Sequence, residues 1–137
     1  MKRRDLLVGA GVVLAAVAAN RAEAAPSAAK PSSGSLVLAA NSCVRASQAC
    51  LRHCLDMLAT GNVAMAACAK SVADLIPASE ALAAIAAGSS RHTAALAAVV
   101  GQIARDCKAE CDKHLAMGPC KACAESCAAL IAEVGKA

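Results

Sequence analysis

The sequence predicts an all-α fold: an antiparallel, up-down-up-down four-helix bundle with a cysteine-lined core. Three observations predict it. From about residue 35 onward, apolar and cysteine residues recur in alternating steps of three and four, the step of one helix face. Three breaks, Thr60-Gly61-Asn62, Gly88-Ser89-Ser90 and Gly118-Pro119, divide that stretch into four segments with short connections, which make neighbouring helices antiparallel. The composition suits close helix packing: 58% of the 137 residues are hydrophobic, many of them alanine, and Phe, Tyr and Trp are absent.

The chain opens with Lys2-Arg3-Arg4-Asp5-Leu6-Leu7, an apolar run to Ala19, and Ala22-Glu23-Ala24 as a small-x-small cleavage site. Residues 1–24 therefore read as an export signal of the twin-arginine type. The apolar run is shorter than the ~20 residues a membrane span needs, so no stable membrane insertion is expected after cleavage. Cleavage would lower the formal charge from +4 to +2, too weak to point to a polyanion. The missing aromatic rings also argue against base stacking, so no nucleic-acid partner is expected. Residues 25–34, rich in Pro, Ser and Ala, read as a disordered linker, leaving residues 35–137 as the bundle domain.

The first helix is expected over about 35–59, with the stripe Cys43, Ser47, Cys50, Cys54, Met57. Thr60-Gly61-Asn62 ends it and is placed to cap the next. The second covers about 63–87, striped Met65, Cys68, Val72, Leu75, Ser79, Leu82, with Pro77 expected to kink it. A serine of Gly88-Ser89-Ser90 is expected to cap the third, about 91–116, striped Leu96, Val100, Ile103 or Ala104, Cys107, Cys111, His114. The fourth begins at Pro119, a favoured first-turn proline, and is striped Cys120, Cys123, Cys127, Leu130, Val134.

This topology places the turns after the first and third helices at one end, the mouth. Cys54, Cys68, Cys111, Cys120 and Cys123 should lie near it, Cys50, Cys107 and Cys127 a little deeper, and Cys43 far down. His53, Met57, Met65, His114 and Met117 gather at the same end. Leu75, Ser79, Leu82, Leu96, Val100, Leu130 and Val134 fill the other. The core thus divides lengthwise into sulfur and hydrocarbon.

Nine cysteines in an exported chain raise the question of disulfides. Nine is odd, however, and neighbours three or four apart on one helix rarely meet the bond's dihedral demand without strain. A pair at that spacing can instead clamp one soft ion, since sulfurs sharing an ion with bonds of about 2.3 Å lie within about 4.6 Å of each other. Soft thiolates and thioethers select Cu(I), zinc or iron–sulfur clusters. Zinc prefers a closed set of four ligands, whereas a row of pairs with methionine and histidine at one end suits Cu(I). The candidate ligands are Cys43, Cys50, Cys54, Cys68, Cys107, Cys111, Cys120, Cys123 and Cys127, with His53, Met57, Met65 and His114 at the mouth. Taken singly, each methionine also reads as core filler, and Cys43 or Cys68 as a small buried hydrophobe. His92 falls at the opposite end, facing solvent. No paired carboxylates, nucleophile elbow or phosphate loop suggests an enzyme. Two other classes stay open: a thiol–disulfide redox protein using Cys120-Lys-Ala-Cys123 at a helix start, and a structural zinc-thiolate protein.

The segments Cys50-Leu-Arg-His53-Cys54, Met65-Ala-Ala-Cys68, Cys107-Lys-Ala-Glu-Cys111-Asp-Lys-His114 and Cys120-Lys-Ala-Cys123-Ala-Glu-Ser-Cys127 resemble the cysteine-rich four-helix-bundle copper storage proteins, in particular the exported, twin-arginine kind. The likeness covers residues 40–137. It implies many Cu(I) ions held by cysteine pairs inside the bundle, a homo-oligomer (a tetramer in exported members) and a copper-dependent enzyme or chaperone as recipient, and the leader places the protein in the periplasm or otherwise exported. The likeness also implies a His/Met entrance, here His53, Met57 and Met65. The chain departs from the pattern at Ser79, Ala104, Leu130 and Val134, where such proteins often carry further core cysteines, and at Thr60, where close relatives carry an entrance methionine. A lower capacity, or a carrier of few ions, is the expected consequence.

The leader and the core are linked by export. A twin-arginine route moves folded protein, so the thiols would cross already shielded. A general secretory route would expose nine thiols to an oxidising compartment before a core exists. Replacing Arg3-Arg4 with Lys-Lys should abolish export, and a general secretory leader should deliver protein with fewer free thiols by thiol titration. Fully reduced protein from the secretory leader would break the link.

Overall fold

The computed structural model describes residues 31–137. The leader (1–24) and the first part of the linker (25–30) lie outside the described residues. Four α-helices follow one another: α1 Pro31–Ala59, α2 Ala66–Ala87, α3 Thr93–Cys111 and α4 Gly118–Val134. Short 3-10 turns, Val63–Met65 and Asp112–His114, lead into α2 and out of α3. α1 packs on α2 and α4, and α3 packs on α2 and α4, so the helices form a closed four-membered ring around one core. Among the described residues no helix is long and apolar enough to cross a membrane.

The expected stripes are the buried faces. Cys43, Ser47, Cys50 and Cys54 of α1 are fully buried, as are Cys68, Val72, Leu75, Ser79 and Leu82 of α2. So are Val100, Ala104, Cys107 and Cys111 of α3, and Cys120, Cys123, Cys127 and Leu130 of α4. Of the alternatives on α3, Ala104 faces the core and Ile103 is half-buried at its edge. Leu96 and Val134 are also half-buried. The lengthwise division holds, with Leu36, Leu75, Leu82, Val100 and Leu130 as the large buried hydrocarbons of the non-sulfur half.

Several boundaries differ from the sequence reading. The linker expected over 25–34 gives way to helix at Pro31, four residues before the expected start. Proline is favoured in a first helical turn, where its missing N–H costs nothing. The Ser35 hydroxyl then donates to Glu133 Oε2 at 2.7 Å and ties this end of α1 to α4. The third helix stops at Cys111 rather than Ala116, and the chain passes through 3-10 and turn geometry to Met117. α2 runs through Pro77 without a break. Pro77 is exposed, so water can serve the carbonyl that its ring leaves unbonded.

The caps explain the two helix ends nearest to glycine. Asn62 N–H donates to Met57 O and Gly61 N–H to Leu58 O, with Gly61 at φ +90, a Schellman ending that glycine accommodates without a Cβ clash. Asn62 itself makes no side-chain cap bond. α2 ends in the same pattern, Ser90 N–H to Ile85 O and Ser89 N–H to Ala86 O, but the left-handed position falls on Ser89 (φ 51), not on Gly88. The expected serine cap of α3 is displaced by two residues: His92 is the N-cap position, and Ser90 Oγ accepts its N–H at 3.2 Å. One further glycine matters for packing. A Cβ on the buried Gly101 would stand 2.8 Å from Val134 Cγ1, so its absence lets α3 and α4 close.

Metal-free, reduced protein should be strongly helical by circular dichroism, because the hydrocarbon half closes the bundle without ligands. Leu82→Ala should lower its unfolding free energy by about 2–5 kcal/mol in urea titrations. Ser89→Gly should raise it by about 1 kcal/mol by relieving the left-handed serine. A coil spectrum that turns helical only with metal would show instead that metal carries the fold.

Candidate metal centre

All nine cysteines are reduced and buried, and eight of them gather in three groups whose sulfurs lie within 4.8 Å of one another. The first group, at the mouth, joins Cys50 and Cys54 of α1, Cys68 of α2 and Cys120 of α4. The second joins Cys50 with Cys111 of α3 and Cys123 of α4. The third joins Cys107, Cys123 and Cys127. Each helix supplies its members by the step of three or four along its inward stripe. Cys50 belongs to the first two groups and Cys123 to the last two, so the sulfurs form one continuous column rather than separate sites. Cys50, expected a little deeper than Cys54, links the mouth group to the second group, and Cys120 near the start of α4 lies 3.8 Å from it.

The spacing fits shared soft-metal ligation. Cys50 Sγ lies 4.0 Å from Cys54 Sγ and 3.9 Å from Cys68 Sγ, and Cys68 Sγ lies 3.7 Å from Cys111 Sγ. With metal–sulfur bonds of about 2.3 Å, two sulfurs on one ion stand about 3.8 Å apart in a tetrahedron, about 4.0 Å in a trigonal plane and about 4.6 Å in a line. The metal-free thiols already occupy the first two of these separations.

Burial and mutual hydrogen bonding divide the thiols by protonation. Burial pushes Cys54 up to about 12 and also raises Cys120. Cys68 is drawn down to about 2, chiefly by bonds from Cys111 and Cys50. Cys123 is lowered by bonds from Cys107, Cys111 and Cys127, while Cys111 and Cys127, which give those bonds, are raised. The thiols thus differ in direction, with Cys68 and Cys123 lowered and Cys54, Cys111, Cys120 and Cys127 raised.

Cys43 falls outside all three groups. Its sulfur meets Ser47 Oγ at 3.9 Å, and Ser47 Oγ in turn meets Cys123 Sγ at 3.7 Å. A hydroxyl, a hard donor, thus bridges Cys43 to Cys123 among the sulfurs. The bond from Cys127, ahead of those from Ser126 and Ser47, draws Cys43 down to about 7 against the opposing effect of burial. Ser79 is fully buried, and its hydroxyl has no partner within hydrogen-bonding distance. Sequence reasoning placed Ser47 and Ser79 on the stripes but gave Ser47 no part in the site.

The remaining candidates rim the mouth. His53 Nε2 stands 3.0 Å from Met117 Sδ, joining α1 to the turn before α4. Met65 is fully buried, and Met57 is half-buried against the core. His114 is half-buried in the 3-10 turn. Neither histidine falls within the three sulfur groups. Thr60, on the rim, turns its hydroxyl to Met57 O at 2.7 Å. His92 is exposed beside Arg91 at the other end, as expected. One feature beside the mouth carried no sequence signal that drew notice: a cleft of about 520 Å³ between α1 and the start of α4, lined in part by Arg45, Arg52 and His53. The spacing of Arg45, Gln48, Arg52 and Asp56 along one outer strip of α1 was the sign available.

No curated protein matches the sequence. A family model described as copper storage protein matches residues 29–136. That stretch takes in all four helices and every thiol of the column, and the chain belongs to the copper storage protein family.

Proposed function

We propose that the protein stores several Cu(I) ions per chain in the cell envelope, held by Cys50, Cys54, Cys68, Cys107, Cys111, Cys120, Cys123 and Cys127, with Cys43 as a weaker terminal ligand. The carrying observation is the continuous column of buried sulfurs, in which neighbouring groups share Cys50 and Cys123. Shared ligands suit an ion content with two or three sulfurs that can pass from one set to the next. Four-coordinate zinc fits only the mouth group by number, because the two deeper groups offer three sulfurs each. The redox reading asks for an exposed thiol of low pKa, whereas Cys120 and Cys123 are both fully buried and burial raises Cys120.

Cargo, not catalysis, is the role this arrangement serves. Ions would enter past His53, Met57, Met65, Met117 and His114, and each neutral thiol that binds would release its proton. Periplasmic residence after twin-arginine export, assembly into a homo-tetramer, and a copper-dependent enzyme or chaperone as recipient belong to the same proposal.

Anaerobic titration of reduced protein with Cu(I) against a competing chelator should give several tightly bound equivalents per chain, with far weaker retention of Zn(II). Cys50→Ser and Cys123→Ser should each remove more capacity than Cys43→Ser, because each of those two thiols serves two groups. One equivalent or none, equal preference for Zn(II), or an equal loss in all three variants would overturn the proposal.

A further inference from the structure

The outer strip of α1 carries charge that the sulfur column does not use. Arg45, Gln48, Arg52 and Asp56 are all exposed and follow one another at helical spacing. With His53 and Pro119 they line the cleft of about 520 Å³ noted above. That volume lies within the ~300–1,000 Å³ usual for small-molecule sites. Two arginines against one aspartate leave the cleft cationic. Neither Arg45 nor Arg52 has an ion pair or a side-chain hydrogen bond among the described residues. Both guanidinium forks are therefore free to take a carboxylate in the two-point geometry that arginine favours. Asp56, four residues beyond Arg52, does not pair with it and disfavours ligands of very high negative charge.

Two residues of the cleft wall are chain neighbours of mouth thiols, although no thiol lines the cleft itself. His53 lines it, precedes Cys54 in the chain, and touches Met117 Sδ with its Nε2. Pro119 lines it and precedes Cys120. Two of the four sulfurs of the mouth group thus follow directly on residues of the cleft wall.

We propose that this cleft binds a carboxylate-bearing small-molecule chelate of Cu(I) and holds it while the ion passes to His53 and Met117 and on to the mouth thiols. The inference rests on the storage reading and names the form in which copper arrives. Copper stays Cu(I) throughout, so no electron is transferred. The chelate's donor atoms are exchanged for protein donors, and the thiols that take the ion give up their protons. The volume and the two unpaired guanidinium forks fit a small anionic ligand; an acidic protein surface that meets the same arginines is an outcome of the test.

The test uses the reduced chain under anaerobic conditions, with Cu(I)–bicinchoninate as the anionic, carboxylate-bearing probe and Cu(I)–acetonitrile as the cationic one. At low ionic strength the double variant Arg45→Gln/Arg52→Gln should take copper from bicinchoninate ~10-fold more slowly than the wild type, a difference that salt should shrink. Its rate from acetonitrile should change less than about twofold on the same grounds, and its final capacity should be unchanged. Arg91→Gln, at the opposite end, serves as a charge-matched control and should match the wild type. Unchanged transfer from bicinchoninate, or equal slowing from both probes, overturns the cleft proposal and leaves storage intact. Such a result would leave the arginines to a protein partner or to structure. If the wild type takes copper from neither probe, the storage reading fails and this inference fails with it.

Discussion

Contact between thiols on different helices is the interaction on which the rest of this bundle depends. Sulfurs from different helices can approach to 3.7–3.9 Å only if the backbones come close together. Alanine and glycine at the helix seams make that approach possible. Ala40, Ala97 and Ala104 are fully buried, or nearly so, and a Cβ on Gly101 would stand 2.8 Å from Val134 Cγ1, so that side chain would have to shift. An aromatic ring in such a seam would hold the helices apart by more than the span of a shared ion. The absence of Phe, Tyr and Trp is therefore part of the same constraint, not a separate curiosity of composition.

Close thiols create an electrostatic problem that protonation solves. Several thiolates in a buried column would repel each other without water to screen them. The column answers by holding most members neutral and letting them donate to a few. Cys111 and Cys127 are raised, whereas Cys68 and Cys123 are lowered by the bonds they receive. A bound cation would remove the repulsion and turn the donors into ligands. The arrangement that keeps the metal-free core tolerable is also the one that would make uptake release protons.

The fold was largely legible because periodicity and burial are the same fact seen twice. Every cysteine assigned to a stripe is fully buried, since a three-four repeat leaves a side chain only one direction to face. Helix ends were less legible because they depend on backbone hydrogen bonds. The break Gly88-Ser89-Ser90 marked the end of α2, but not that the left-handed turn falls on Ser89, where the 6→1 and 5→2 bonds place it. Pro31 looked like linker punctuation, although proline also opens helices. At the site, the membership of the column could be read from spacing, but its grouping could not. Spacing along one helix says nothing about the axial offset between helices, and that offset makes Cys50 a partner of Cys120 and leaves Cys43 out. The arginine cleft escaped notice because exposed charge on an amphipathic helix normally means only solvation.

The two buried serines give the division of the core its chemical edge. A serine hydroxyl is nearly the shape of a cysteine thiol, so replacing one by the other disturbs packing little. It changes the donor from soft to hard, and a soft ion gains little from it. Ser47 stands between Cys43 and Cys123, where it keeps the local hydrogen bonds but supplies no soft donor. Ser79, on α2, leaves its hydroxyl without a partner, an arrangement that typically costs about 1–3 kcal/mol. The core can carry that cost because the neighbouring layers of Leu75, Leu82, Val100 and Leu130 are fully buried hydrocarbon, and each large side chain contributes about 1.5–3 kcal/mol by leaving water. The hydrocarbon half is therefore not merely a region that lacks metal ligands. Its surplus stability lets the bundle close around a column of desolvated thiols and two desolvated hydroxyls, so that the sulfur half is organised before any ion arrives.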